Sequence, residues 1–304
     1  MMRNRGTQSA KAVEISKAHQ THEMRETQSE HEKYKFSKGM IYLFLGIVVI
    51  CQLLPFYLAI TTSLKPSDDM SSALIPRTHD LAWSNWSMAV NEGGILKAVL
   101  NSVIVTGCST LLVCVLGGMA AYPLARRRTR LNNFISAFIL AVMMVPPLSI
   151  LVPLYTFLVN INGANTYWGV IVVLTATHMP LAVFLYTAFI RAIPSAIDEA
   201  GTIDGANRFQ VFSRLIMPML KPVTSTVIIV TGSQLWNEYA LANYILTDPS
   251  KQTIAPRVAS FFSENSNQLG IAAAAALIAA VPMVVAYMFL QKYFIAGMIA
   301  GSVK

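Results

Sequence analysis

The chain has 304 residues, of which 54% are hydrophobic, 10% aromatic and only 12% charged, whereas ordinary soluble domains carry about 25% charge. That excludes a soluble enzyme, because too little polar surface is present to cover two cores of ~150 residues each in water. The 23 Lys and Arg exceed the 15 Asp and Glu, giving a net charge of +8, and where those charges fall decides between nucleic acid and a membrane face as the cause.

Residues 1–39 are polar and mixed in charge, with no apolar residue recurring at a helical or strand period. They read as a disordered tail. His19, His22 and His31 lack the convergent Cys or carboxylate spacing of a metal site and read as solvated groups. Residues 40–304 contain six apolar stretches, approximately Ile41–Ser63, Ala98–Leu124, Phe134–Val159, Tyr167–Ile190, Val223–Leu246 and Ile271–Phe294. About 20 helical residues cross a hydrocarbon layer of ~30 Å, and within lipid a helix satisfies every backbone N–H and C=O inside one segment. The expectation is an all-α membrane protein with six transmembrane helices. A transmembrane barrel would show alternating segments of ~10 residues instead.

The first stretch is too long, and too far from the N-terminus, for a cleavable signal, and is expected to remain as an anchor. Pro55, Pro146, Pro147, Pro153, Pro180 and Pro282 lie within the stretches and predict kinks. Cys51, Cys108 and Cys114 sit in apolar runs without a CxxC pair and read as small buried hydrophobes.

When the connections are assigned to alternate sides, eighteen basic residues fall on one side and five on the other: Lys65, Arg77, Lys97, Lys251 and Arg257. Short loops rich in Lys and Arg stay in the cytoplasm. Both termini are therefore predicted to be cytoplasmic, and the basic excess is topological, with no nucleic-acid partner implied. The connections Leu64–Lys97, Asn160–Thr166 and Thr247–Gly270 then face outward. Trp83 and Trp86 fit an aromatic belt or a protein contact, and Ser263–Gln268 is a polar stretch open to a soluble partner.

The inner connection 191–221, RAIPSAIDEAGTIDGANRFQVFSRLIMPMLK, predicts two short helices around a glycine. Pro194 and Ser195 signal a helix start, Asp198 and Glu199 follow at its positive end, and Gly205 permits a turn. Phe209, Phe212, Leu215 and Ile216 recur at helical spacing. Such a face must bury itself in the membrane interface, in its own bundle or on a partner.

Here the sequence resembles the permease subunits of binding-protein-dependent ABC importers, in the carbohydrate branch similar to the maltose-system permease MalG. The resemblance extends over about 260 residues. The family loop runs Glu-Ala-Ala, three residues, Gly, nine residues, then Ile-x-Leu-Pro. Glu199-Ala200-Gly201, Thr202-Ile203-Asp204, Gly205 and Leu215-Ile216-Met217-Pro218 keep every spacing, departing at Gly201 for Ala, Leu215 for Ile and Met217 for Leu. Asn101-Ser102, Ala121-Tyr122-Pro123-Leu124-Ala125-Arg126, Asn165-Thr166-Tyr167-Trp168-Gly169, Trp236-Asn237-Glu238-Tyr239 and Gln291-Lys292-Tyr293-Phe294 extend the likeness in order.

The resemblance implies a type I importer permease (MetI-like) fold in the bacterial cytoplasmic membrane. It makes Glu199, Ala200, Gly201, Asp204, Gly205, Phe209, Phe212 and Pro218 a coupling element seated in a cleft of a separate ATPase, with Phe209 and Phe212 filling the cleft. The implied partners are a second permease in a heterodimer, two ATPases that bind ATP and Mg, an extracytoplasmic solute-binding protein, a carbohydrate substrate and membrane lipid. The loop Thr247–Gly270 would probe the open cleft of the binding protein.

No G-x-x-x-x-G-K-[ST] phosphate loop occurs in the chain, so no cofactor, metal or catalytic residue is expected in it and the energy must come from a partner. Glu238 is the one acidic residue well inside a stretch and is expected to face the bundle interior, because an ionisable group at mid-membrane costs at least ~2.5 kcal/mol. With Asn237, Tyr239 and Asn243 it either lines a sugar pathway or makes a helix contact. His178 reads as a satisfied histidine. The competing reading is an autonomous proton-coupled carrier using Glu238 and His178.

Overall fold

The computed structural model describes residues 38–69, 71–264 and 268–302. The expectations for residues 1–37 of the tail and for the centre of the polar stretch Ser263–Gln268 therefore fall outside the described residues, while Lys38 and Gly39, expected in the tail, are helical. Every regular element among the described residues is a helix, as the apolar pattern requires. The chain divides into two compact units, residues up to Leu58 and from Ala59 onward. The first carries most of helix α1 (Lys38–Ser63), which continues unbroken past Pro55.

In the second unit α2 (Ser84–Asn91) precedes α3 (Ile95–Arg126), α4 (Arg130–Val142), α5 (Leu151–Asn160) and α6 (Tyr167–Ala192). Two single turns, α8 (Arg208–Gln210) and α9 (Met217–Met219), flank a six-residue π-helix Val211–Ile216 and follow α7 (Ala196–Ile203). Then come α10 (Lys221–Trp236), α11 (Ala240–Ile245), α12 (Ile254–Glu264) and α13 (Leu269–Ser302).

Among the described residues four helices are long and apolar enough to cross a membrane: α1, α3, α6 and α13 over Leu269–Phe289. The count rises to as many as six if two sharply bent pairs are each one span. The expected third span, Phe134–Val159, is not continuous. Pro146 and Pro147 supply no N–H to carbonyls upstream, and the chain bends by 92° between Arg130–Val142 and Pro147–Asn160. The expected fifth span, Val223–Leu246, is also interrupted. Its helix ends at Trp236 and a new one starts at Ala240. Pro123, Pro180 and Pro282 stay inside their helices.

Three apolar clusters hold the second unit together. One, at the basic end, joins α3, α6 and the π segment through Val113, Tyr186, Ile190, Phe212 and Ile216. A second, at the far end, joins Val105, Leu158, Val170 and Leu174 to Leu241 and Ile245. The third packs α2, α12 and α13 on the start of α3 through Ala89, Ile95, Phe261 and Ala274. Of the cysteines only Cys114 is buried; Cys51 and Cys108 are exposed, because in lipid an apolar residue gains nothing by facing inward.

The connections at the far end are more structured than loops. Lys65 is buried, its Nζ donating to Ser71 O, Ser71 Oγ and Ser72 O, while Asn85 Nδ2 donates to Ser63 O and Lys65 O. Hydrogen bonds from Ser71, with Arg77 3.1 Å away, hold the Asp69 carboxyl down to about 2.

Candidate functional site

The connection 191–221 folds as two helical pieces hinged at glycine. α7 ends in a Schellman-type turn: Ala206 N donates to Gly201 O at 3.0 Å and Gly205 N to Thr202 O at 3.1 Å. Gly205 takes the required left-handed conformation, φ +84°. The second piece opens on a capping box that the sequence reading missed. Asn207 Oδ1 accepts from Gln210 N at 2.9 Å, and Gln210 Oε1 accepts from Asn207 N at 2.8 Å. The Asn-x-x-Gln spacing was the available signal. Ser195, read as the cap of α7, makes no side-chain cap.

Gly201, where the family has Ala, now has a reason. A Cβ there would stand 2.6 Å from Leu215 Cδ1 and 3.3 Å from Val211 Cγ2. Gly201 and Leu215 are both departures from the family pattern, and each fills the space the other leaves. Leu215 Cδ1 is the free end of an exposed side chain that can turn aside, so Gly201→Ala alone is expected to stay within ~1 kcal/mol of the parent, the turn of Leu215 offsetting the helix propensity gained, and Leu215→Ile is expected to let that gain appear. A thermal-unfolding double-mutant cycle should give a coupling of about 1 kcal/mol; a value near zero would refute the pairing.

The two phenylalanines expected to share one face do not. Phe212 is 8% exposed and its ring centroid lies 5.3 Å from that of Tyr122 on α3, so it belongs to the core. Phe209 is 67% exposed, and Ile203 at the end of α7 is 85% exposed. Phe209 stands in the first turn of this piece, ahead of the π-helix, whose Val211, Phe212 and Ile216 turn to the core. The extra residue per turn of the π-helix re-aims the side chains after Gln210 relative to an α-helix of the same sequence. Glu199, Ala200, Asp204, Gly205 and Pro218 are exposed, while Gly201 is buried.

Asp198, not Glu199, ties the element to the bundle. Tyr122 OH donates to Asp198 Oδ1 at 2.6 Å, and Arg126 Nη2 lies 2.7 Å from Asp198 Oδ2. Arg126 Nη1 also donates to the carbonyls of Ile190 and Ile193, at 3.1 and 2.7 Å, satisfying the end of α6. One guanidinium thus joins α3, α6 and α7. A cavity of about 820 Å³ opens beside it, lined by Tyr122, Arg126, Asp198, Glu199, Phe209 and Phe212 among others.

Within the fifth stretch, Glu238 has a structural task. Its Oε1 accepts from Leu241 N at 2.9 Å, capping α11 where α10 has broken. It is half-buried, whereas Asn237, Tyr239 and Asn243 are exposed, and Asn237 Nδ2 donates back to Ser233 O at 2.8 Å. Asn237, Glu238 and Tyr239 form the break and Asn243 lies within α11. His178 Nδ1 lies 2.9 Å from Leu174 O and 3.1 Å from Thr177 Oγ1, inside its own helix.

The short motifs Asn101-Ser102 and Asn165-Thr166-Tyr167 acquire a shared role at the far end. Asn101 Nδ2 donates to Ser250 O and Gln252 O at 3.2 and 2.9 Å, and Asn101 Oδ1 accepts from Tyr167 OH at 2.8 Å. Ser102 Oγ accepts from Ile254 N at 2.7 Å. Asn165 Oδ1 accepts from Asp248 N at 3.1 Å, and its carbonyl from Lys251 Nζ at 3.0 Å. The segment between α11 and α12, with the first residue of α12, is therefore pinned by five hydrogen bonds to the N-terminal parts of α3 and α6. The expected loop Thr247–Gly270 contains α12.

Comparison with known proteins agrees with this architecture. The family described as "Binding-protein-dependent transport system inner membrane component" matches residues 114–300. The melibiose/raffinose/stachyose import permease protein MelC of Bacillus subtilis (strain 168) is 44% identical over 269 residues, 88% of this chain and 97% of that protein. The multiple sugar-binding transport system permease protein MsmG of Streptococcus mutans is 29% identical over 280 residues, 90% of this chain and 99% of its own. Among solved structures, a bacterial ABC transporter involved in the import of the acidic polysaccharide alginate is similar with a TM-score of 0.69 at 19% identity, covering 83% of this chain and 94% of that one. The same fold is thus shared across very different sequences.

Proposed function

Because the chain belongs to the family of binding-protein-dependent transport system inner membrane components, we propose that it is the permease subunit of an ATP-driven importer moving a sugar or oligosaccharide inward across the bacterial cytoplasmic membrane. The sugar-permease names of MelC and MsmG support the cargo class. Melibiose, raffinose and stachyose are the first sugars to test. The reading places both termini in the cytoplasm, by the distribution of Lys and Arg. It also gives the chain a second permease as heterodimeric partner, two ATPases that hold ATP and Mg, and an extracytoplasmic binding protein.

The observation that carries the coupling role is the pairing of a rigid base with an exposed apolar tip. α7 is clamped to α3 and α6 through Arg126 and Asp198, while Ile203 and Phe209 stand free of the core. Two apolar side chains held out in this way are suited to anchoring in a partner's pocket. Glu199, exposed in the first turn of α7, is placed to pair with a basic group of the ATPase. The autonomous proton-coupled carrier is set aside by family membership, and Glu238 and His178 are occupied by local bonds.

The test is co-purification with the cognate ATPase. Ile203→Glu and Phe209→Glu should each weaken capture about 30-fold, the size of an interface anchor, and leave the elution profile of the permease unchanged. Uptake of the sugar by this chain alone in liposomes, without ATP, would overturn the assignment.

A further inference from the structure

A second concavity lies where α4 meets α6. It is a narrow groove of about 110 Å³ between α4 and α6, lined among others by Ser136, Leu140, Val183, Phe184, Thr187 and Arg191. Its walls are apolar apart from Ser136, Thr187 and Arg191, and the last two carry the argument. Thr187 is 7% exposed and its Oγ1 has no hydrogen-bond partner. A buried hydroxyl left in this way is costly, and Thr in a helix has two χ1 rotamers between which Oγ1 can turn. At the groove's end stands Arg191, exposed, with which no acidic group among the described residues pairs. α4, the other wall, begins with Arg130, shortly after Arg127 and Arg128.

The spacing orders these features by depth. On α6, Thr187 is one turn above Arg191 and Val183 two turns above, roughly 6 and 12 Å deeper into the membrane at 1.5 Å per residue. From the helix end inward the groove offers a cation, a hydroxyl and then hydrocarbon. A glycerophospholipid presents the complementary series of phosphate, ester oxygen and acyl chain. Arginine's planar fork fits a phosphate in two-point contact, and an unpaired guanidinium at the interface favours an anionic headgroup over a zwitterionic one. We propose that the groove between α4 and α6 binds one anionic glycerophospholipid. The phosphate sits on Arg191, a glycerol ester oxygen accepts from Thr187, and an acyl chain lies along Val183, Phe184 and Leu140. This inference requires only that the helices cross a membrane and is independent of the transported cargo.

The full-length permease, purified in detergent, would be titrated with phosphatidylglycerol and with phosphatidylethanolamine of identical acyl chains and read by native mass spectrometry. One phosphatidylglycerol per chain should be retained with a preference of about fivefold, the worth of one cationic contact near a membrane surface. Arg191→Gln should abolish the preference. Thr187→Val should weaken both lipids alike, Thr187→Ser should restore them, and Arg128→Gln should change neither. Ser136→Leu, which fills the groove without removing charge, should exclude both lipids even if Arg191→Gln fails to fold. Equal retention of the two lipids by the unaltered protein, or an undiminished preference in Arg191→Gln, overturns the site. Displacement by millimolar inorganic phosphate would show a free-anion site, and efficient cross-linking of Ser136→Cys to a second permease in native membranes would show that protein covers the groove. Either result also overturns it.

Discussion

Replacing Arg126 with alanine is expected to separate ATP hydrolysis from transport, lowering sugar uptake per ATP hydrolysed in reconstituted vesicles by about two orders of magnitude. Its guanidinium reaches three helices at once. Nη1 holds the carbonyls of Ile190 and Ile193, while Nη2 pairs with Asp198, which also accepts from Tyr122. The Arg126 and Asp198 side chains are 16% and 18% exposed, so solvent screens the pair only partly. Its loss strands the Ile193 carbonyl and leaves the Asp198 carboxylate with the Tyr122 bond alone, since Ile190 O still accepts from Ile193 N, a cost of ~3 kcal/mol. The tip residues Ile203 and Phe209 hold no hydrogen bond of the clamp and stay exposed, so on the proposed reading ATPase capture should survive. The motion of the captured element would no longer be transmitted to α3 and α6. Arg126→Lys keeps the charge but not the fork, and should recover only a small part of the uptake. Asp198→Asn, which keeps the bond from Tyr122, should fall between. Normal uptake per ATP in Arg126→Ala would show that the clamp is only structural.

That clamp was invisible in the sequence, although Tyr122 and Arg126 lay in one recognised motif and Asp198 immediately before another. Spacing placed Glu199 and Asp198 side by side in the first turn of α7, and nothing local distinguishes the one that meets Arg126 from the one left in solvent. The partner is 72 positions away, brought close only by the packing of α3 on α6. Long, uniformly apolar helices were the most legible features. α3, α6 and α13 each begin within about three residues of the expected positions, because hydropathy alone decides such segments.

Breaks were harder to read than spans. Pro146 and Pro147 were expected to kink a helix, and adjacent prolines instead end it. At Asn237–Tyr239 no proline marks the break, and the group that caps the new helix, Glu238, was the residue read as a pathway charge. A carboxylate inside an apolar stretch has two ways to recover its solvation, a partner in the bundle or an orphan backbone N–H, and sequence does not choose between them. The split between Phe209 and Phe212 escaped for another reason. A periodicity of 3.6 assumes one continuous α-helix, whereas Phe209 lies ahead of the π-helix Val211–Ile216 and Phe212 within it.

The second large effect is expected at Asn101. Asn101→Leu, close in volume, removes two donors and one acceptor from a side chain that is 4% exposed. The carbonyls of Ser250 and Gln252 and the hydroxyl of Tyr167 lose their partner together. Orphaned groups of this kind cost about 1–3 kcal/mol each when they stay buried. The segment between α11 and α12 is the cheaper thing to release, because it lies at the end of the bundle, where water can resolvate it. The substitution should therefore loosen this segment more than it unfolds the protein. Hydrogen exchange at Ser250 and Ile254 should accelerate by about two orders of magnitude, while that of α6 stays within a few-fold. If this segment is where the binding protein docks, stimulation of the ATPase by substrate-loaded binding protein should fall by a similar factor while basal hydrolysis is retained. Ser102→Ala, which removes only the acceptor for Ile254 N, should give a smaller change in the same direction. Fast exchange spread evenly over α3, α6 and the segment would show that Asn101 supports the fold as a whole, and the local pinning role would be lost.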